Sequence, residues 1–110
     1  METPLPTAIE IAEDLAVAAV AVNAAVDTRR RLRRRTHIRD PERRAKIETR
    51  VSDLEGHGSV LRSHLKRSDH HSPPFTPYSA VVRRRIKRLL REMRYERRQL
   101  KKMLPADNDS

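Results

Sequence analysis

The apolar residues between positions 82 and 103 follow a heptad rhythm, and this rhythm constrains the fold more than any other feature of the chain. They step alternately by four and three residues along Val82, Ile86, Leu89, Met93, Glu96, Leu100 and Met103, where Glu96 is the single polar member. Such spacing is typical of α-helices that pack lengthwise. Two earlier segments repeat it, from Ala12 to Val26 and from Ile47 to Leu65. Since no segment alternates like a strand, we predict an all-α fold.

Local start and stop signals divide the chain into three helices. Thr7 and Glu10 form a capping box, while Asp40 and Thr76 each precede a proline, as expected for an N-cap followed by proline at the first helical position. Pro105 ends the third segment. The predicted elements are helices over about 8–35, 41–67 and 77–104, a loop over 68–76 and a polar tail over 105–110.

The heptad rhythm of the third helix also suggests association between chains. The chain has 110 residues, of which 36% are hydrophobic, so a single copy is expected to build only a thin core. We therefore predict a hairpin of the first two helices with the third as a separate, basic, coiled-coil-like arm, and a homodimer that forms a helical bundle. The predicted oligomer seam comprises Val82, Ile86, Leu89, Met93, Leu100 and Met103.

The segment Gly56-His57-Gly58 interrupts the second predicted helix. Each glycine costs about 1 kcal/mol relative to alanine in a helix interior. One interpretation is a kink or break that tertiary contacts override. The other is a close approach to a second backbone or to a ligand, for which a missing side chain makes room.

The charge of the chain is large and unevenly distributed. Lys and Arg number 25 against 15 acidic residues, a net charge of +10. Positions 29–39 hold seven arginines and no acid, and positions 81–104 hold eleven bases and two acids. Such crowding is self-repulsive, and an anionic partner would relieve it. The candidate nucleic-acid-binding residues in the two blocks are Arg29, Arg30, Arg33, Arg34, Arg84, Arg88, Arg91, Arg94 and Arg98.

Among polyanions, duplex RNA is the favoured partner. Single strands are bound largely by stacking on aromatic side chains, and only Tyr95 lies within a basic block. Duplex RNA is bound through phosphates and 2′-hydroxyls without a base-reading motif. DNA binding, or an assembly role that uses the same arginines, is the alternative. A membrane-surface role is less favoured, because the apolar stripe of the third helix lacks Trp and Phe and contains Glu96.

Several classes of function are not expected. The chain has no cysteine, and its two glycines form no phosphate-binding loop. The five histidines have no carboxylate cluster nearby in sequence, so we expect surface histidines and no metal site. We predict no enzyme activity, no cofactor and no small-molecule substrate. Without a secretory signal or a membrane-spanning stretch, an intracellular, preferably cytoplasmic location is expected, although the arginine blocks could also direct nuclear entry.

The order of parts resembles that of a known family. An amphipathic first helix carries AAVAVNAAV at 18–26, Asp40-Pro41 follows it, and the second helix opens with Arg43-Arg44 and continues with SVLR at 59–62. The chain closes with the polar tail PADNDS. Over about residues 5–67 this order is similar to that of the small RNA-silencing suppressors of nodaviruses. The resemblance implies a helical dimer that binds duplex RNA through its second helix. The residues implied there are Arg43, Arg44, Lys46, Arg50 and Arg62.

Overall fold

A computed structural model describes residues 4–32, 38–70 and 76–105 of the chain, which form three long α-helices. Helix α1 spans Ala8–Leu32, α2 spans Pro41–Asp69 and α3 spans Ala80–Met103. These described ranges contain no β-strand. The prediction of an all-α fold with three helices is therefore confirmed.

The first two helices begin where their capping residues predict. At the start of α1 the Glu10 N–H donates to Thr7 Oγ1 over 3.1 Å, and the Thr7 N–H donates to Glu10 Oε2 over 3.4 Å. At the start of α2 the Asp40 carboxylate accepts from the Arg43 N–H over 3.2 Å, with Pro41 at the first helical position. These side chains satisfy backbone donors that have no partner within the helix.

The third helix begins later than its sequence predicts. The N-cap is Ser79, whose Oγ accepts from the Val82 N–H over 3.2 Å, so the prediction of Thr76 as N-cap and of a start at 77 is wrong. Thr76 Oγ1 accepts instead from the Tyr78 N–H over 3.2 Å. Tyr78 is buried against α2, so the helix starts only after this inward turn.

The second helix extends two residues beyond its predicted end and runs unbroken through the two glycines. Gly58 is buried, and a Cβ added to it would lie 3.8 Å from Met93 Sδ on α3. The atoms nearest to such a Cβ belong to side chains and not to a second backbone, so the interpretation that tertiary contacts override the helix-breaking tendency of the two glycines applies. The predicted end of the first helix at 33–35, most of the loop at 71–75 and the tail at 106–110 lie outside the described residues.

The helices form an up-down-up bundle in which each packs against both others. Arg29 and Glu96, which both lie in the C-terminal halves of α1 and α3, contact each other, so these two helices run parallel. Asp14 near the start of α1 contacts His64 near the end of α2, so α2 runs antiparallel to α1. The prediction of α3 as a separate arm is wrong, because α3 packs along the other two helices.

The heptad seam of α3 lies in the core of this single chain. Ile86 and Leu100 are fully buried, and Leu89 and Met93 are less than a tenth exposed. Val82 and Met103 pack against this core from its edges. The seam is thus not available as an interface between chains, which corrects its assignment as an oligomer seam. Buried Ala18 and Ala25 have side chains small enough for α1 to approach its neighbours closely. The homodimer stays a prediction.

Candidate nucleic-acid interface

The side of α3 that points away from the core is mostly cationic, and its large apolar members are Tyr95, which is 52% exposed, and Val81, which is 65% exposed. Because the seam fixes how the helix is rotated in the bundle, the residues opposite it face solvent. We call this surface the outer face, and it comprises Arg84, Lys87, Arg88, Arg91, Arg94, Arg98 and Lys102. Arg84 and Lys102 lie five turns apart, which corresponds to about 27 Å along the helix at 1.5 Å per residue.

Few carboxylates neutralise the outer face. Arg88 Nε lies 3.4 Å from Glu92 Oε1. Counting only residues 4–32, 38–70 and 76–105, no carboxylate oxygen comes within 4.0 Å of a cationic nitrogen of the other six members. An ordered helix therefore holds like charges close together in solvent, an arrangement that an anionic ligand stabilises.

The second acid of α3, Glu96, points into the bundle instead. Its carboxylate accepts from Arg29 Nε over 2.6 Å and from Arg29 Nη2 over 3.1 Å. The hydrogen bond to Glu96 is the largest influence on Arg29 and raises the pKa of this guanidinium, against the opposing effect of burial. The guanidinium carbon also lies 5.9 Å from the centre of the Tyr95 ring. Glu96 thus interrupts the seam as one half of an interhelical ion pair, and Arg29 belongs to that pair rather than to a free cationic surface.

Among the residues that the structure describes, the other predicted site residues outside α3 are scattered. Arg30 is exposed near the end of α1, while Arg33 and Arg34 lie outside the described residues. Arg44 Nε donates to Glu48 over 3.1 Å, and Arg43 lies 4.0 Å from Asp40. None of these contacts assembles a second dense basic surface.

The cations of α2 are divided between two sides of the helix. Arg50 Nε donates to Thr28 Oγ1 of α1 over 3.2 Å, and Lys46 lies one turn before it on the same side. Arg62 lines the cleft toward α3, and Arg44 lies five turns before Arg62. The structure therefore does not bring the five α2 residues that the resemblance implies onto one face.

Near the start of α3, the structure shows a polar cluster that the sequence analysis missed. His64 Nδ1 lies 2.7 Å from the Tyr78 hydroxyl, and His64 Nε2 lies 2.7 Å from Asp14 Oδ2. Burial raises the pKa of the Tyr78 hydroxyl, and the nearby Arg67 opposes this rise. The prediction of a surface histidine is wrong for His64, which is buried.

The order of groups in this cluster, carboxylate to imidazole to hydroxyl, resembles a proton relay. Its hydroxyl is nevertheless inaccessible, since Tyr78 is only 1% exposed. Both ring nitrogens of His64 are occupied within the chain. The cluster therefore ties α1, α2 and the approach to α3 together, and it offers no nucleophile to a substrate.

Within the described ranges, no three histidine or carboxylate side chains converge as metal ligands. No helix there combines the length and the hydropathy needed to cross a bilayer.

Comparison of the chain with protein families, with characterised proteins and with solved structures gave no match.

Proposed function

We propose that this chain binds duplex nucleic acid through phosphate contacts made by the outer face of α3, and that duplex RNA is its preferred ligand. The observation that carries the proposal is the row of exposed cations on one rigid helix, most of them without a carboxylate partner in the described parts of the chain. Over about 27 Å of axis, duplex DNA presents roughly 16 phosphate charges, and duplex RNA has a similarly regular phosphate backbone. Positioned cations on a straight helix suit such a regular charge array.

The composition of the outer face favours a duplex over a single strand. Tyr95 is the aromatic residue beside the cationic row, and Arg29 lies near its ring. Single-strand binding draws on several stacking platforms, whereas duplex binding needs phosphate contacts and a matching shape. The row contains only Arg and Lys side chains, which suit phosphates without selecting a base sequence.

Duplex RNA and RNA-silencing suppression enter the proposal through the resemblance to the nodaviral suppressors. A protein that covers duplex RNA without regard to sequence withholds it from the silencing machinery, and the cytoplasm is where we propose that it acts. The homodimer belongs to the same proposal. The structure adds that such a dimer would leave the seam of α3 inside each chain.

Two alternative functions are outcomes of the same test. Duplex DNA carries a similar density of phosphates, so a DNA-binding or assembly protein would use the same outer face. An anionic membrane would also attract the cations. However, the apolar stripe of α3 is buried in the bundle and cannot insert into lipid.

The test is a binding panel with duplex RNA, duplex DNA and single-stranded RNA of equal length, measured from 50 to 200 mM salt. If at least six phosphates are contacted, we expect the affinity for duplex RNA to fall about 10³-fold or more over this range. We also expect duplex RNA to compete better than duplex DNA or single strands.

Two results would redirect or overturn the proposal. An affinity that hardly changes with salt would contradict phosphate binding altogether. Equal competition by duplex DNA would mean that the protein binds duplexes in general and has no preference for duplex RNA. Flotation with anionic vesicles in the same salt series identifies the membrane alternative, which predicts lipid binding without competition by duplex RNA.

A further inference from the structure

A cleft between α2 and α3 combines an apolar floor with a cationic rim. Its volume is about 480 Å³, and Leu54, Leu90 and Met93 contribute to its floor. The rim carries six cations, which are Arg62, Arg94, Arg97, Arg98, Lys101 and Lys102. Pockets of this size take small ligands. Converging cations above an apolar floor suit a ligand with an apolar or aromatic body and a strongly anionic end.

Among the described residues, a single carboxylate lies on the rim. Glu55 Oε1 lies 3.6 Å from Arg97 Nη1 and 3.6 Å from Lys101 Nζ, and all three side chains are about half exposed. Ion pairs this long and this accessible to water are weak. Glu55 thus holds two cations toward the cleft, where a phosphate with its greater charge and its several acceptor oxygens can replace or share the carboxylate.

Gly58 explains why the cleft is open toward Arg62. A Cβ at this position would lie 3.3 Å from Arg62 Nη1, so the guanidinium lies across the space that a side chain would fill. Glycine at this position lets the cationic end of Arg62 lie at the cleft without a displacement of a few tenths of an ångström, at a cost in helix propensity.

We propose that this cleft binds a nucleotide that carries a terminal phosphate, with the phosphate on Arg62, Arg97 and Lys101 and the base over the apolar floor beside Met93. The thioether of Met93 suits contact with an aromatic base. The inference rests on the proposed function, because Arg94, Arg98 and Lys102 belong both to the outer face and to the cleft rim. A strand bound along the outer face can therefore place its end in the cleft.

The ligand can come from two sources, which are the 5′-phosphorylated end of a bound strand and a free nucleoside triphosphate. The experiment measures binding of two blunt RNA duplexes that differ only in a 5′-phosphate or a 5′-hydroxyl, and separately titrates the protein with ATP. We expect the full chain to prefer the phosphorylated duplex by about tenfold, as several charge-assisted hydrogen bonds imply. A site for free nucleotides instead predicts saturable ATP binding at moderate salt.

Two cleft variants and one control sharpen the measurement. Arg62→Gln should remove most of the preference for the 5′-phosphate, or most of the ATP affinity. Gly58→Ala displaces the Arg62 guanidinium by only a few tenths of an ångström and should lower the same quantity by less. Gly58→Ala keeps the fold, because the added methyl meets only the far end of a flexible side chain and improves helix propensity. Arg91→Gln, on the outer face but outside the cleft, should weaken both duplexes by similar factors and keep their ratio.

The outcomes separate this inference from the proposed function. Equal affinity for both duplexes together with no saturable ATP binding would overturn the cleft proposal while duplex binding stands. Unchanged preference and unchanged ATP binding in Arg62→Gln would overturn it too. Failure to bind either duplex would instead contradict the proposed function, and the ATP titration would still test the cleft.

Discussion

The two faces of α3 are chemical opposites, although they alternate along the same 24 residues. The inner face carries Ile86, Leu89, Met93 and Leu100, which are buried in the core that the three helices share. The outer face carries seven cations, and Glu92 is the acid beside it. The inner face thus determines where the helix sits and how it is rotated. The outer face is a consequence of that rotation and is free to serve a ligand.

The number of cations on a helix and their arrangement around it are separate properties. Helix α2 has seven cations and five acids, and its cations lie on two sides of the helix. Helix α3 has eleven cations and two acids, of which Glu96 points inward. Of these two helices, only α3 therefore presents a dense row of uncompensated charge in one direction.

The largest loss of stability is expected when a charged side chain replaces an apolar one on the inner face. Leu89→Asp places a carboxylate at a buried position without a partner, at a cost comparable with the whole stability of a small domain, about 5–15 kcal/mol. We expect the variant to lose most of its helical circular dichroism at 25 °C. Arg91→Asp makes a charge change on the outer face and should leave the stability within about 0.5 kcal/mol of the unmodified chain.

The same variant distinguishes packing within one chain from packing between chains. If the seam joined two copies, Leu89→Asp would retain its helices and show half the original mass by light scattering. A folded variant of reduced mass would contradict the packing described above.

A smaller loss of stability is expected from breaking the ion pair between Arg29 and Glu96, the charged residue on the inner face. Arg29→Ala leaves the Glu96 carboxylate buried without its partner, which should lower the free energy of unfolding by about 3 kcal/mol. This is the lower end of the range for buried pairs, because 24% of the Arg29 side chain is exposed. The double variant Arg29→Ala with Glu96→Leu completes the apolar seam and should recover most of the loss in urea denaturation. Equal stability of Arg29→Ala and the unmodified chain would show that the pair contributes nothing.

The smallest effect concerns the two tyrosines, one inside the bundle and one on its surface. Tyr95→Phe leaves Tyr78 as the only phenol, so absorbance at 295 nm then follows Tyr78 alone. Because burial raises the pKa of Tyr78, its titration midpoint should be higher in the folded chain than in urea. The linked stability is complete below the unfolded pKa of about 10 and is lost as the pH rises through the folded pKa. Equal midpoints in both states would contradict the buried position.

Tyr78→Phe provides the matched control. It removes a hydrogen-bond partner from buried His64 and should cost about 1–2 kcal/mol at neutral pH, measured by urea denaturation. In this variant, the part of the loss of stability at alkaline pH that comes from ionisation of Tyr78 should disappear. If stability falls with pH as steeply in this variant, other groups cause the loss.

The helices were predictable from the sequence because their signals are local. The capping box of Thr7 and Glu10 and the N-cap Asp40 act within four residues of the groups they satisfy. The heptad positions of α3 likewise identify its buried side. What covers that side is not encoded in the spacing, since a seam against α1 and α2 has the same pattern as a seam against a second chain.

The site was predictable only in part, for the same physical reason. The basic block of α3 is visible in the sequence, and its exposed members follow from the seam. The engagement of Arg29 by Glu96 and of Arg50 by Thr28 joins residues far apart in sequence. His64 offered a usable signal, because it lies three residues after Leu61 and therefore shares the buried side of α2. Its partner Tyr78 could be placed only by the fold.

The most direct test of the central claim compares the outer face of α3 with the cations of α2 at equal charge. One variant carries Lys87→Gln, Arg88→Gln and Arg91→Gln, and its counterpart carries Arg43→Gln, Arg44→Gln and Lys46→Gln. The logarithm of the affinity for duplex RNA is measured against the logarithm of the salt concentration. We predict that the slope becomes shallower by about 2–3 in the α3 variant and by less than about 1 in the α2 variant. A larger change in the α2 variant would contradict the assignment of duplex binding to the outer face of α3.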